Sequence, residues 1–455
     1  MPPKTPRTKS TAIEEQDYFH GFLPREDLPH LLQENGDFLV RTSEPEVGQA
    51  RKYIISLMFD KGNPETEMKH FIVQKVKNKF KVDVQQFASL VELIDHYVSK
   101  KEPLSSTQPM AIIRNAIPRQ AWELLHEDIT LVKKLGEGAF GEVHSGKLRL
   151  KTKRKVDVAI KLAKTEQVDK EKVKELMKEA RLMRNYEHPN VVKLYGVAIE
   201  QEPLMIVMEL IEGGALDVYL QKNGAKVVLQ EKLDCMSMGT VWGLEYLHMK
   251  NCIHRDIAAR NCLYAKKKTV KISDFGLSRE GESYQMTSAK RLPIKWLAPE
   301  TLTTGLYTPK SDVFSLGIML WEVFANGAEP YQAMSNAEVQ KQVLEGYRME
   351  LAPDTPDDVV ELVNKHCWDA SPETRWNMSQ VARELERITG CKPPIQNRIK
   401  AGRKGVITTN TEATVERTTE DRTREEQAKK PTSSSRPRRS VSTKKRAGTR
   451  KKTPR

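Results

Sequence analysis

Eight residues, His254 to Asn261, written HRDIAARN, place a carboxylate, an amide and two guanidinium groups side by side. The flanking residues, Cys252-Ile253 upstream and Cys262-Leu263-Tyr264 downstream, are apolar, so the cluster reads as a loop held between buried segments. Such a loop can carry chemistry. Asp256 is placed to accept the proton of an attacking hydroxyl, and Asn261 can turn its amide oxygen toward a magnesium ion, the pairing expected for phosphoryl transfer. Thirteen residues beyond Asn261, Asp274-Phe275-Gly276 supplies a second carboxylate for the metal. Either motif alone is an ordinary polar turn; in this order the two point to one site.

The elements that must position these groups lie upstream. Leu135-Gly136-Glu137-Gly138-Ala139-Phe140-Gly141-Glu142-Val143 reads as a glycine-rich hairpin, in which the absence of Cβ lets backbone amides approach phosphate oxygens. A lone GxGxxG would also suit a dinucleotide fold. Here a strand follows, Val156 to Leu162, where that fold needs a helix, and the strand contains Val158-Ala159-Ile160-Lys161. Lys161 is therefore expected to hold the α and β phosphates and to pair with a glutamate of the next helix, Glu171 to Asn185. Glu179 is the choice, with Glu175 on the same face as the alternative.

Together these motifs resemble the eukaryotic protein-kinase catalytic domain from Asp128 to Thr389. The resemblance implies ATP as cofactor, with magnesium, or manganese in its place, held by Asn261 and Asp274. It also implies a nucleotide site formed by Leu135, Gly136, Gly138, Gly141, Val143, Ala159 and Lys161. Met205 to Leu210 becomes the strand into the hinge, with Met208 as gatekeeper and Glu209 to Ile211 presenting backbone groups to adenine. Met183, Leu194, His254 and Phe275 are expected to stack into the apolar column linking the two lobes, and Glu300 and Arg375 to form a buried pair. Phe314 and Trp376 depart from the family's usual tryptophan and proline, in packing positions.

Serine and threonine kinases usually carry a lysine two residues after the catalytic aspartate. Here Ala258 stands there and a guanidinium appears two later, at Arg260. With Leu292-Pro293-Ile294-Lys295-Trp296 before Ala298-Pro299-Glu300, this resembles the tyrosine kinases, whose peptide must lie further from Asp256 because tyrosine holds its hydroxyl further out. Between DFG and APE the only tyrosine is Tyr284, expected as an autophosphorylation site whose phosphate would pair with Arg255 or Arg279.

Before the kinase-like part, a helix carrying Leu28, Leu31 and Leu32 precedes an Asn-Gly-Asp turn and the strand Phe38-Leu39-Val40, which ends on Arg41. Strands follow over 52–59, 70–74 and 80–84, then a helix over 89–98. This layout resembles an SH2 domain, which implies that Arg41 grips a phosphotyrosine phosphate while Arg25, Ser43 and His70 surround it. The fold class is thus α+β: a central antiparallel sheet flanked by two helices, then a bilobal kinase domain. The boundaries read as leader 1–16, SH2 domain 17–114, linker 115–127, kinase domain 128–390 and tail 391–455. Only seven residues separate Arg114 from Trp122, at most ~25 Å of chain, so the two domains should touch.

The net charge is +14 over 455 residues. Residues 391–455 hold 20 Lys+Arg against 6 Asp+Glu, so the preceding 390 are neutral and no specific nucleic-acid partner is expected of them. The leader and the Ser, Thr, Pro and Arg rich tail are expected to be disordered, the tail being attracted to anionic membrane lipid or serving nuclear import. The five cysteines lack CxxC spacing and read as reduced thiols. The chain as a whole most resembles the Fes/Fer group of non-receptor tyrosine kinases without their F-BAR region. That resemblance implies tyrosine-containing protein substrates and phosphotyrosine proteins as SH2 partners. With no signal-peptide core in MPPKTPRTKS and no apolar run of about 18 residues, a cytoplasmic or nuclear place is expected, and the basic tail adds a peripheral one at the inner face of the plasma membrane.

Overall fold

The computed structural model describes residues 12–44, 49–63, 66–138, 141–163, 170–286 and 292–394. Strands β1 (Asp37–Ser43), β2 (Lys52–Met58) and β3 (Met68–Ile72) pair antiparallel with each other. The expected strand over 70–74 breaks at Val73, beyond which β4 (Gln74–Val76) and β5 (Lys79–Lys81) form a separate hairpin. Lys77 and Asn78 turn that hairpin with φ of 47° and 62°, the paired positive values that match the twist of a tight two-residue loop. The strand expected over 80–84 is consequently short.

Helix α1 (Leu90–Lys100) is capped by Ser89, whose hydroxyl accepts from the Glu92 amide, and ends in the left-handed Lys101. Its Leu90, Leu93, Ile94 and Tyr97 pack on Phe38, Val40, Ile55 and Leu57 of the sheet. The segment expected as an amphipathic helix is instead a 3-10 turn, Arg25–His30, because Pro29 lacks the amide that an α-helical ladder needs.

Two expected boundaries are corrected. Residues 12–16, assigned to a disordered leader, are ordered: Ile13 is 5% exposed within the SH2 core, and Glu14 accepts a hydrogen bond from Tyr53 Oη at 2.9 Å. Residues 115–127, assigned to a linker, are built into both domains. Strand β6 (Asn115–Ala116) joins the first sheet parallel to β1, giving the order β3-β2-β1-β6. Further along, the Trp122 carbonyl and the Leu124 amide pair with Val197 of the second domain, both at 2.8 Å.

The second domain starts with β7 (Ile129–Gly138), β8 (Gly141–Arg149) and β9 (Lys155–Ala163), followed by α2 (Lys170–Met183), β10 (Leu194–Ala198) and β11 (Met205–Glu209). The five strands form an antiparallel sheet ordered β10-β11-β9-β8-β7. One face of α2 (Val173, Leu176, Met177 and Ala180) buries itself against Leu23, Leu28, Leu32 and Leu39 of the first domain. The two domains therefore share a hydrophobic core, as the short connection predicts.

The larger lobe is helical: α3 (Leu216–Asn223), then helices over Met238–Met249, Pro309–Phe324, Asn336–Leu344 and Met378–Thr389. Reciprocal capping boxes at Thr308, Ser335 and Asn377 start the last three. Asp357–Glu361 is α-helical and continues as a π turn, Leu362–Cys367. Trp376 stacks on the His366 ring with centroids 3.6 Å apart, and Phe314 lies under the Arg375 guanidinium at 5.3 Å, so both departures fill packing positions. The candidate site lies where this lobe's loops meet the five-stranded sheet.

Candidate active site and phosphate pocket

Lys161 stands in the middle of β9, between Val143 of β8 and Ile206 of β11. Its ammonium donates to both carboxylate oxygens of Glu179 at 2.8 Å and lies 3.7 Å from Asp274 Oδ1. Burial is the largest influence on Lys161 and favours the neutral amine, but Glu179 and Asp274 outweigh it and hold its pKa above the ordinary lysine value. Glu179 is 5% exposed, whereas Glu175, the alternative, faces solvent.

Asp312, 1% exposed in the first turn of the buried helix Pro309–Phe324, fixes the HRDIAARN loop. Its Oδ2 accepts from the His254 amide at 2.7 Å and its Oδ1 from the Arg255 amide at 2.8 Å, while His248 Nε2 lies 2.9 Å from Oδ2. Arg255 and Asp274 both have left-handed backbones, φ 71° and 60°, conformations that cost non-glycine residues about 1–3 kcal/mol and persist where surroundings impose them. Met183, Leu194 and Phe275 belong to one apolar cluster, and the His254 ring meets Phe275 edge-on at 5.2 Å.

Within the loop, Asn261 Nδ2 donates to the Asp256 carbonyl and to Asp256 Oδ2, both at 2.8 Å. Both amide hydrogens are thereby engaged, and Asn261 Oδ1 is left as an acceptor for a cation. Arg260 donates to Asp256 Oδ1. Its guanidinium also lies over the Trp296 ring, 4.1 Å from the centroid. Glu322 Oε2 accepts from Trp296 Nε1 at 3.0 Å and from the Ala259 amide at 2.9 Å, tying both sides of this platform together. Burial pushes the Glu322 carboxyl up to about 7, against the pull of those two donors.

On the nucleotide side, Gly136 is opposite Val143, and Ala159 is opposite Met208. Leu135 is half exposed above them and Ile211 is buried below. The Glu209 amide donates to the Lys193 carbonyl at 3.0 Å, so of its backbone groups the carbonyl is the one left for adenine. Gly138 and Gly141 end the two strands of the hairpin; Ala139 and Phe140 between them lie outside the described residues. Tyr284 pairs in register with Tyr307, with the Arg255 guanidinium 4.2 Å and the Arg279 guanidinium 5.1 Å from its ring centroid.

The first domain has its own charged pocket. Arg41 is 1% exposed; its Nε donates to Ser56 Oγ at 3.0 Å, one Nη donates to the Leu23 carbonyl at 3.4 Å, and the other, Nη2, is buried with no partner among the described residues. Arg25 and Ser43 line the same cavity of about 210 Å³. His70 reaches the cluster from behind, its Nδ1 3.1 Å from Ser56 Oγ. Burial first, then Arg41 and Arg25, push the His70 imidazole down to about 3, so it is neutral at physiological pH.

Sequence reasoning missed the residues that act across the chain. Asp27 accepts from Arg181 and Arg184, His20 reaches both Glu123 oxygens and the Ile117 carbonyl, and Asp312 and Glu322 anchor the catalytic loop. Asp312 and Glu322 carried a signal, being charged positions in the apolar run VFSLGIMLWEVF and at its start. The others carried none.

A lysine–glutamate pair across sheet and helix, an aspartate–asparagine loop and a second aspartate beside the lysine define a two-lobed protein kinase domain, here docked on an SH2 domain. Residues 129–385 match the protein tyrosine and serine/threonine kinase family, and residues 18–97 match the SH2 domain. The chain is 39% identical over 380 residues to Fer-related kinase 1 of Caenorhabditis elegans, covering 83% of this chain and 94% of that one. It is 38% identical over 393 residues to the tyrosine-protein kinase transforming protein Fps of avian sarcoma virus (strain PRCII), covering 85% and 71%. Against human tyrosine-protein kinase Fer the identity is 40% over 379 residues, 83% of this chain but 44% of Fer, so the chain spans less than half of that relative. The chain belongs to the protein tyrosine and serine/threonine kinase family, among the SH2-containing tyrosine kinases of the Fer and Fps kind.

Proposed function

We propose that the chain is a non-receptor protein tyrosine kinase that transfers the γ-phosphoryl group of ATP to tyrosine hydroxyls of proteins and is targeted by phosphotyrosine binding to its SH2 domain. The observation that carries this reading is the Lys161–Glu179 pair with Asp274 within 3.7 Å of the same ammonium, the arrangement in which a lysine is held ready for phosphate oxygens.

Asp256 accepts the hydroxyl proton. Both its oxygens already receive hydrogen bonds, from Arg260 and Asn261, but a carboxylate has lone pairs to spare and these contacts aim it. Asn261 Oδ1 and the Asp274 carboxylate are hard oxygen donors and suit magnesium, with manganese as an alternative. When bound, the cation neutralises charge on the phosphates. Lys161 orients the nucleotide, and the rate comes mainly from positioning and charge stabilisation. The Arg260–Trp296 platform keeps the peptide backbone away from Asp256, a distance that a tyrosine side chain spans and a serine does not. Two peptides differing only in Tyr or Ser at the acceptor position test this: transfer to tyrosine alone supports the assignment, and equal transfer to both overturns it.

Of the basic segment 391–455, all residues beyond Pro394 lie outside the described residues. Their charge supports attraction to anionic lipid at the cytoplasmic face of the plasma membrane, worth about 1 kcal/mol per basic residue at a charged surface. Ser433, Ser434, Ser435, Ser440 and Ser442 would weaken it on phosphorylation. Co-sedimentation with phosphatidylserine vesicles should fall when the chain is ended at Gly390; equal binding would leave nuclear import as the better reading.

A further inference from the structure

The cavity that holds Arg41 is not made by the SH2 domain alone. Arg25, Arg41, Ser43 and Arg51 form one wall, and Lys170 and Lys174, from the first turns of α2 in the kinase domain, form the other. Lys170 and Lys174 are four residues apart and so share a helix face, and Val173 beside them is 4% exposed in the core common to both domains, which fixes that face against the pocket.

We propose that the phosphotyrosine site of this protein is composite, with Lys170 and Lys174 of the kinase helix contacting the phosphate that Arg41 grips. This rests on the reading of the Arg41 pocket given above. Three observations carry it. The buried Arg41 Nη2 has no hydrogen-bond partner among the described residues, so a ligand acceptor is expected inside the cavity. Arg25, Arg41, Lys170 and Lys174 line that cavity against the Glu26 carboxylate, while Arg51, also at its edge, is already paired with Glu44 at 3.2 Å; the remaining surplus is one that a dianionic monoester would neutralise. Finally, the ion pairs of Lys174 are weak: Glu26 is 3.7 Å away and Glu171, at 3.1 Å, is 72% exposed, so a phosphate in the cavity competes easily for the ammonium.

The test uses the full chain and a peptide carrying a single phosphotyrosine flanked by alanines, so that no acidic flank can contact the lysines. The combined Lys170→Gln and Lys174→Gln variant should bind this peptide roughly tenfold more weakly by fluorescence anisotropy, as expected for loss of charge-assisted contacts. Arginine at both positions should restore binding. Affinity within twofold of the parent for the glutamine variant overturns the proposal, as does failure of arginine to restore it, since a packing role would not depend on charge. Arg41→Leu separates the two levels: if it abolishes binding while the glutamine variant is unaffected, only the helix contribution is lost. If Arg41→Leu binds normally, the pocket itself is misassigned.

Discussion

Asp27 accepts two parallel hydrogen bonds from Arg181, Oδ1 from Nε at 3.0 Å and Oδ2 from Nη2 at 2.8 Å, across 154 residues of chain. Arg184 adds a third at 3.0 Å, and the Arg184 guanidinium also lies over the Trp122 ring at 4.0 Å. The helix so gripped is the one that carries Glu179 to Lys161. The SH2 domain and the Lys161–Glu179 ion pair are therefore connected through one helix.

Breaking that grip should loosen the helix. Removing one partner of a buried pair costs about 3–5 kcal/mol, and less here because Arg181 and Arg184 are partly exposed. Asp27→Ala should therefore speed amide exchange over Lys170–Met183 and lower turnover several-fold. Hydrogen exchange measured by mass spectrometry checks it; unchanged protection in that helix would show that the apolar core alone holds the domains together.

Arg41 is expected to supply most of the phosphate recognition, because a desolvated bidentate guanidinium contact is far stronger than an exposed ion pair. Calorimetry with a phosphotyrosine peptide should detect no binding by Arg41→Leu. Binding as tight as the parent's would relocate the pocket.

His70 provides a pH prediction. Its folded-state pKa lies at about 3, below the ordinary 6.5, so between those values the unfolded chain binds a proton that the folded chain does not. Stability contributed by neutral His70 is complete above about pH 6.5 and declines as pH falls from there toward 3. The imidazole resonances of His70 should stay flat from pH 8 to pH 5 in an NMR titration. An inflection near 6.5 would mean that the imidazole is not desolvated as the structure has it.

Arg375 is fully buried and donates to both Glu300 oxygens, at 2.7 and 3.0 Å. Arg375→Ala leaves Glu300 without its partner and should destabilise the larger lobe by about 3–5 kcal/mol. A melting temperature within 2 °C of the parent, where roughly 2–4 °C per kcal/mol is expected for domains of this size, would contradict it.

The chemistry was legible in the sequence because its groups sit in contiguous motifs: Asp256, Arg260 and Asn261 fall within six residues, and Lys161 lies in a strand whose type its own β-branched neighbours declare. Contacts between distant segments were not legible. Nothing around Asp27 announces Arg181, and Ile13, in a Pro, Thr and Lys rich stretch, gives no local sign that the SH2 core needs it. At Arg25–His30 the leucine spacing points to a helix, but Pro29, whose missing amide decides the ladder, makes a 3-10 turn. Lys170 and Lys174 read as solvated helix charges until the first domain is placed against them.

The central claim is that Asp256 is the group that accepts the tyrosine proton. Its most direct test is the initial rate of phosphoryl transfer from ATP to a tyrosine peptide by purified Asp256→Asn protein at saturating nucleotide, beside the parent chain. Asparagine keeps the shape but offers one acceptor oxygen in place of two, so it retains the side-chain contact to only one of Arg260 and Asn261 and cannot take a proton; the rate should fall on the order of 10²–10⁴-fold with phosphopeptide binding to the SH2 domain intact. A rate within a few-fold of the parent would contradict the account.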